Sequence, residues 1–197
     1  MRAARSVRSV PAMFLLLALT IYIPGLAAAQ GASAPAKPAA AAPSNPAVAS
    51  VRPAYDSVKE YILRSVDQMS EENYAFRPTP EVRTFGQIIG HLANEQYVFC
   101  AAALGEPNPE TKQDFEKTRT NKAGLAEAIR ASFKYCDRAY QMGDAQATKW
   151  QTIPDFGERA PLAMLVLNAG HNAEHYGNIV TYMRIKGLVP PSSQPQR

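Results

Sequence analysis

The chain is sparing with the residues that usually announce chemistry: its 197 residues include three histidines, two cysteines and one tryptophan. No cysteine follows the N-terminal apolar run, which excludes a lipoprotein anchor, and no paired arginines there suggest twin-arginine export. No stretch of any length alternates apolar and polar residues, and nothing repeats internally, so the sequence gives no case for a sheet or a solenoid. From Tyr176 to Arg197 there is neither aspartate nor glutamate. Positive charge is also thin. Arg2, Arg5 and Arg8 carry three of the formal +4, and without residues 1–29 the charge falls to +1. The basic balance is therefore no argument for a nucleic-acid partner.

Those three arginines precede the apolar run Ala12 to Ile23, which Pro24 and Gly25 break, and Ala27 to Ala29 offer small residues for cleavage. The pattern predicts a signal peptide over 1–29, cut before Gln30, because the apolar core is short for a membrane span. An exported protein, periplasmic or secreted and without stable membrane insertion after cleavage, is the expectation. Residues 30–50 are rich in alanine and proline with almost nothing large to bury, and are expected to form a disordered linker.

The remainder, 51–193 with a short tail at 194–197, predicts an all-α four-helix bundle. The first helix is expected from Pro53 to about Met69, with Tyr55, Val58, Ile62 and Val66 on its apolar face. Thr84 and Gln87 have capping-box spacing for a second helix ending near Leu104, before Gly105. The third is expected from Lys122 to Met142, stopped by Gly143, and the fourth from Pro161 to Gly187. The connection Gly105–Asn121, 17 residues, reaches roughly 56 Å at about 3.3 Å per residue, enough to pass back along a helix of about 30 Å. The second and third helices can then run parallel, in an up-down-down-up order. Cys100 and Cys136 would in that case lie at similar heights, either bonded or as two small buried thiols.

His171 and His175 are four apart, so a helix places both imidazoles on one face. His91 lies on the second helix in the stripe Ile88, His91, Glu95, Val98 and Ala102, read as facing inward. Two ligands from one helix and one from another make a three-histidine metal site; the alternative is ordinary core histidines.

Several segments together resemble the DinB-like family of four-helix metal proteins. They are Glu72 to Pro80, Thr84-Phe85-Gly86 leading to His91-Leu92, His171 to Gly177, and Tyr182 to Ser193. The resemblance implies an up-down-down-up bundle and a divalent metal, zinc or nickel, on His91, His171 and His175. It also implies that some relatives form dimers, so that a homodimer is one expectation, and that some transfer thiol groups. His171-Asn172-Ala173-Glu174-His175 also matches the inverted zinc-protease signature, but that motif needs a later carboxylate ligand, and none follows.

Three neutral imidazoles leave a divalent ion an open position and lower the pKa of a bound water towards ~7. Glu95, one turn beyond His91, is the candidate catalytic base; Glu174 reads as a flanking residue, and a solvated helix face is the alternative for both. Asn168, Asn172, Tyr176, Tyr182 and Arg184 are candidates to line or support the pocket. The expected function is metal-assisted hydrolysis of a small molecule. A non-catalytic metal-binding or stress-related envelope protein, or a thiol-transferase-like enzyme, are the alternatives, the last disfavoured because an exported chain would not meet a cytosolic thiol.

Overall fold

The computed structural model describes residues 44–195. The expected signal peptide, and the expected linker up to residue 43, lie outside the described residues.

Helix α1 spans Pro46–Gln68. It begins ahead of Pro53, so residues 46–50, expected to be linker, are helical and Pro53 sits inside the helix. The cause is a cap from far along the chain. The backbone amides of Ala47 and Val48 donate to the Asp144 carboxylate at 2.8 and 3.2 Å, which satisfies orphan donors where the helix dipole favours negative charge. Val48 is fully buried, so the added turn also extends the core.

A 3-10 turn, Glu71–Ala75, leads to α2, Phe85–Leu104. Thr84 and Gln87 form the predicted capping box, and Gly105 closes the helix in the left-handed region at φ 71°. The long connection that follows contains a short helix, α3, Phe115–Thr118. Helix α4, Lys122–Ala139, stops before the expected Met142, and Gly143 precedes a further turn, α5, Asp144–Ala147. Strands β1, Gln151–Ile153, and β2, Gly157–Arg159, then pair antiparallel. Three residues each are too few to show an alternating pattern, and the hairpin is absent from the sequence reading for that reason. Helix α6, Pro161–Ile185, is followed by Gly187 at φ 74° and a 3-10 turn at Pro191–Ser193. No described helix is long and apolar enough to cross a membrane.

The core lies between the four long helices. Tyr55 of α1 stacks on Tyr140 at 3.8 Å and meets Phe133 edge-on. Its hydroxyl donates to Asp137, which also takes Lys59 at 2.6 Å. Helices α2 and α4 touch in step: near their starts Leu125 lies against Gly86, and near their ends Cys100 is bonded to Cys136 across a Cα separation of 5.3 Å. The structure thus holds the disulfide, not two thiols. Helix α6 meets α2 in reverse, since Tyr182 reaches Arg83 while Asn168 and Asn172 reach Gln96.

Candidate metal centre

One turn of α6 carries His171 and His175, and α2 presents His91 against them. The Nε2 of His171 lies 3.1 Å from Nε2 of His91 and 3.1 Å from Nε2 of His175. The three rings stand at steep angles to one another, with centroids 4.5 to 5.1 Å apart. Of the stripe read as inward on α2, Ile88 is buried, but the positions after it are turned to the margin. Ile89, Leu92, Ala93 and Gln96 take the core, while His91, Glu95 and Val98 are only partly covered. That rotation opens the cluster to solvent instead of sealing it inside.

Below the histidines a closed ring of three carboxamides fastens α2 to α6. Gln96 donates to Asn172 at 2.5 Å, Asn172 to Asn168 at 3.3 Å, and Asn168 back to Gln96 at 2.7 Å. All three side chains are fully buried, so each bond replaces water that the group has lost. Above the cluster the Tyr182 hydroxyl donates to the Arg83 carbonyl at 2.6 Å. The histidines sit between these two ties.

Burial is the main cause that keeps the rings neutral. With the Arg83 guanidinium and His175 adding to it, burial pushes His91 from 6.5 to about 4. His171 is likewise pushed to about 4, by burial and then by the two neighbouring rings, and His175 is lowered by burial. A neutral ring has one N–H and one lone pair, and surroundings choose the tautomer. His91 Nδ1 faces the Glu116 carboxylate at 3.6 Å. With the ring uncharged this is a polar approach, not an ion pair, and it favours hydrogen on Nδ1 and the lone pair on Nε2. The single N–H that His171 can place on Nε2 cannot serve both neighbours well. A cation among the three nitrogens satisfies all of them. Nitrogens about 2.0–2.1 Å from a tetrahedral ion stand roughly 3.3–3.4 Å apart, close to the spacing found, so the donor set suits a divalent metal. Among the described residues this is the group of side chains placed to hold one.

Glu116 is the site residue that sequence reasoning missed. It rides on α3, and α3 can approach because residue 90 is glycine: a Cβ there would stand 2.6 Å from Glu116 Cα. Glu95 is partly covered, and burial raises its pKa, but it makes no hydrogen bond or ion pair among the described residues. Glu174 is exposed. A cavity of about 570 Å³ opens beside the cluster, lined in part by Thr79, Arg83, Glu116, His175, Asn178 and Tyr182. Of the other residues named from sequence, Asn168 and Asn172 support the cluster from beneath. Tyr176 and Arg184 instead hold the C-terminal turn through Ser192 and Ser193.

Comparison with known proteins bears on the fold and the family. No curated protein matches the chain. The crystal structure of a DinB-like protein from Bacillus cereus is similar at 19% identity and a TM-score of 0.61, over 72% of this chain and 93% of that one. A DinB-like protein from Bacillus subtilis matches at 21% identity and a TM-score of 0.58, over 74% and 99%. The sequence profile of the DinB superfamily matches residues 54–179, a span holding all three histidines, and the chain belongs to that superfamily.

Proposed function

We propose that this is an exported metal-dependent enzyme that hydrolyses a small molecule, with His91, His171 and His175 as ligands of one divalent ion, zinc or nickel. The observation that carries the reading is the convergence of three Nε2 atoms, two of the distances being 3.1 Å, at a cavity large enough for a small substrate. Such an ion, bound by three neutral imidazoles with a position open, supplies Lewis-acid activation of water or of a substrate oxygen at neutral pH.

The chain's own groups do the rest. The carboxamide ring and Tyr182 fix the helices that bear the ligands, and Glu116 orients His91 through Nδ1. Glu95, partly covered and with no hydrogen-bond or ion-pair partner among the described residues, is the proton acceptor in this reading, its carboxyl raised above the usual carboxylate range by burial. The in-step contacts of α2 with α4, and the reversed ones of α2 with α6, support an up-down-down-up order. The pattern of residues 1–29 supports export, and the thin positive charge offers nothing to nucleic acid.

Elemental analysis of purified protein should give one zinc or nickel per chain. Alanine at any of the three histidines should lower metal affinity strongly, since two imidazoles hold such an ion much less well than three. A panel of esters, amides and phosphoesters tested with each metal identifies the bond cut. Wild-type protein that takes up no metal would overturn the reading; one tight metal with no turnover across the panel would leave a metal-binding envelope protein.

A further inference from the structure

We propose that Arg83 makes the cavity a receptor for an oxyanion, so that the substrate carries a carboxylate or phosphate seated on its guanidinium. This deepens the hydrolase reading and rests on it for the location of the reacting bond.

Arg83 is held at two points. Its carbonyl accepts from Tyr182 at 2.6 Å, and its Nε donates to Glu116 Oε1 at 2.9 Å. The two Nη groups have no partner among the described residues. The side chain is 43% exposed and lines the same cavity as His175. A guanidinium fixed by Nε presents its outer edge as a planar fork, the geometry that takes two oxygens of a carboxylate or phosphate at once. Being pinned already, it loses little freedom on binding.

Its charge reaches the site. Glu116 links the two, its Oε1 taking Arg83 Nε at 2.9 Å while its Oε2 stands 3.6 Å from His91 Nδ1, so an anion on the fork lies close to the cluster. Glu116 occupies one of the five donors and leaves the others. Asn178 and Thr79 add neutral polar groups at the rim. The two carboxylates of the lining, Glu81 and Glu116, exceed the one guanidinium, and a divalent ion on the histidines turns that balance positive.

Calorimetry with succinate, inorganic phosphate and the neutral succinamide tests the proposal, on metal-free and on zinc-loaded protein. Succinate, phosphate or both should bind wild type and succinamide should not; which anion binds tells carboxylate from phosphate. Arg83→Gln should weaken that binding about tenfold or more, the loss of a charge-assisted pair, while zinc uptake at saturation stays at one per chain. Arg83→Lys keeps the charge without the fork and should fall between, which also covers a Gln variant that folds poorly. Equal anion affinity in wild type and Arg83→Gln, or no anion binding to wild type, would overturn it. Failure of the metal reading shows separately, as absent zinc uptake beside anion binding that is weaker for want of the ion's charge but still lost in Arg83→Gln.

Discussion

Following metal affinity from about pH 7 down to about pH 5 probes the electrostatics of the three histidines directly, because each must be neutral to bind. A histidine with the ordinary value of about 6.5 becomes about 25-fold less available over that interval, so two such ligands lose several hundredfold. His91 and His171, both at about 4, should together lose only about 1.2-fold. His175, lowered by burial as well, adds less than the roughly 25-fold of an ordinary ring. Competition titration against a chelator of known pH dependence reads the result: a total loss below about 25-fold is expected. A loss of several hundredfold or more would mean that burial does not hold the rings neutral, and would refute the electrostatic account. The same shifts carry a stability signature in the metal-free protein. A base with a depressed folded pKa is protonated first in the unfolded chain. Stability is therefore full above about pH 6.5 and falls towards about pH 4, solvent screening holding the loss for each of His91 and His171 below the roughly 3 kcal/mol of the bare shift, with His175 acting in the same direction.

Glu116→Gln should lower metal affinity about 10–100-fold, as for other carboxylates that orient a ligand histidine, measured by the same titration. Glu95→Gln should leave metal content unchanged and reduce turnover about 10²–10⁴-fold; unchanged turnover would make Glu95 a surface carboxylate. Alkylation under denaturing conditions should find no free thiol at Cys100 or Cys136 before reduction and two after. Replacing both cysteines should cost about 4 kcal/mol in denaturant unfolding, from the chain entropy of their 36-residue separation. Gly90→Ala should destabilise the fold by about 1–3 kcal/mol, because the new methyl meets backbone and not a yielding side chain, and should weaken metal binding with it by displacing Glu116.

The histidine cluster was legible because its parts are rare and regularly spaced. Three histidines in the whole chain, two of them one helical turn apart, leave few arrangements. The capping box at Thr84 and Gln87 was legible for the same reason, being local. What stayed hidden depends on distant partners. The first turn of α1 forms on a carboxylate from Asp144, so Pro53 alone misplaced its start. Glu116 sits in a connection with no periodicity, and only the missing side chain at Gly90 lets it reach His91. The inward face of α2 was misjudged by one position, since Gln96, polar by type, is buried in the carboxamide ring while apolar Val98 lies at the edge.

The seating of α3 on Gly90 also fixes one wall of the cavity beside the histidines. Asn94 fastens that wall twice more, accepting the Phe115 amide at 2.9 Å and donating to Asp114 at 3.0 Å. Pro78 also lines the cavity, and just beyond it the Pro80 carbonyl accepts from Arg77 at 3.1 Å. One wall is thus held by bonds to Asn94 and by close packing on Gly90, and the Pro78 ring restricts the backbone beside the other. If the cavity takes the small molecule proposed above, such a fixed opening would select by size, and exchange would not wait on the movement of a wall.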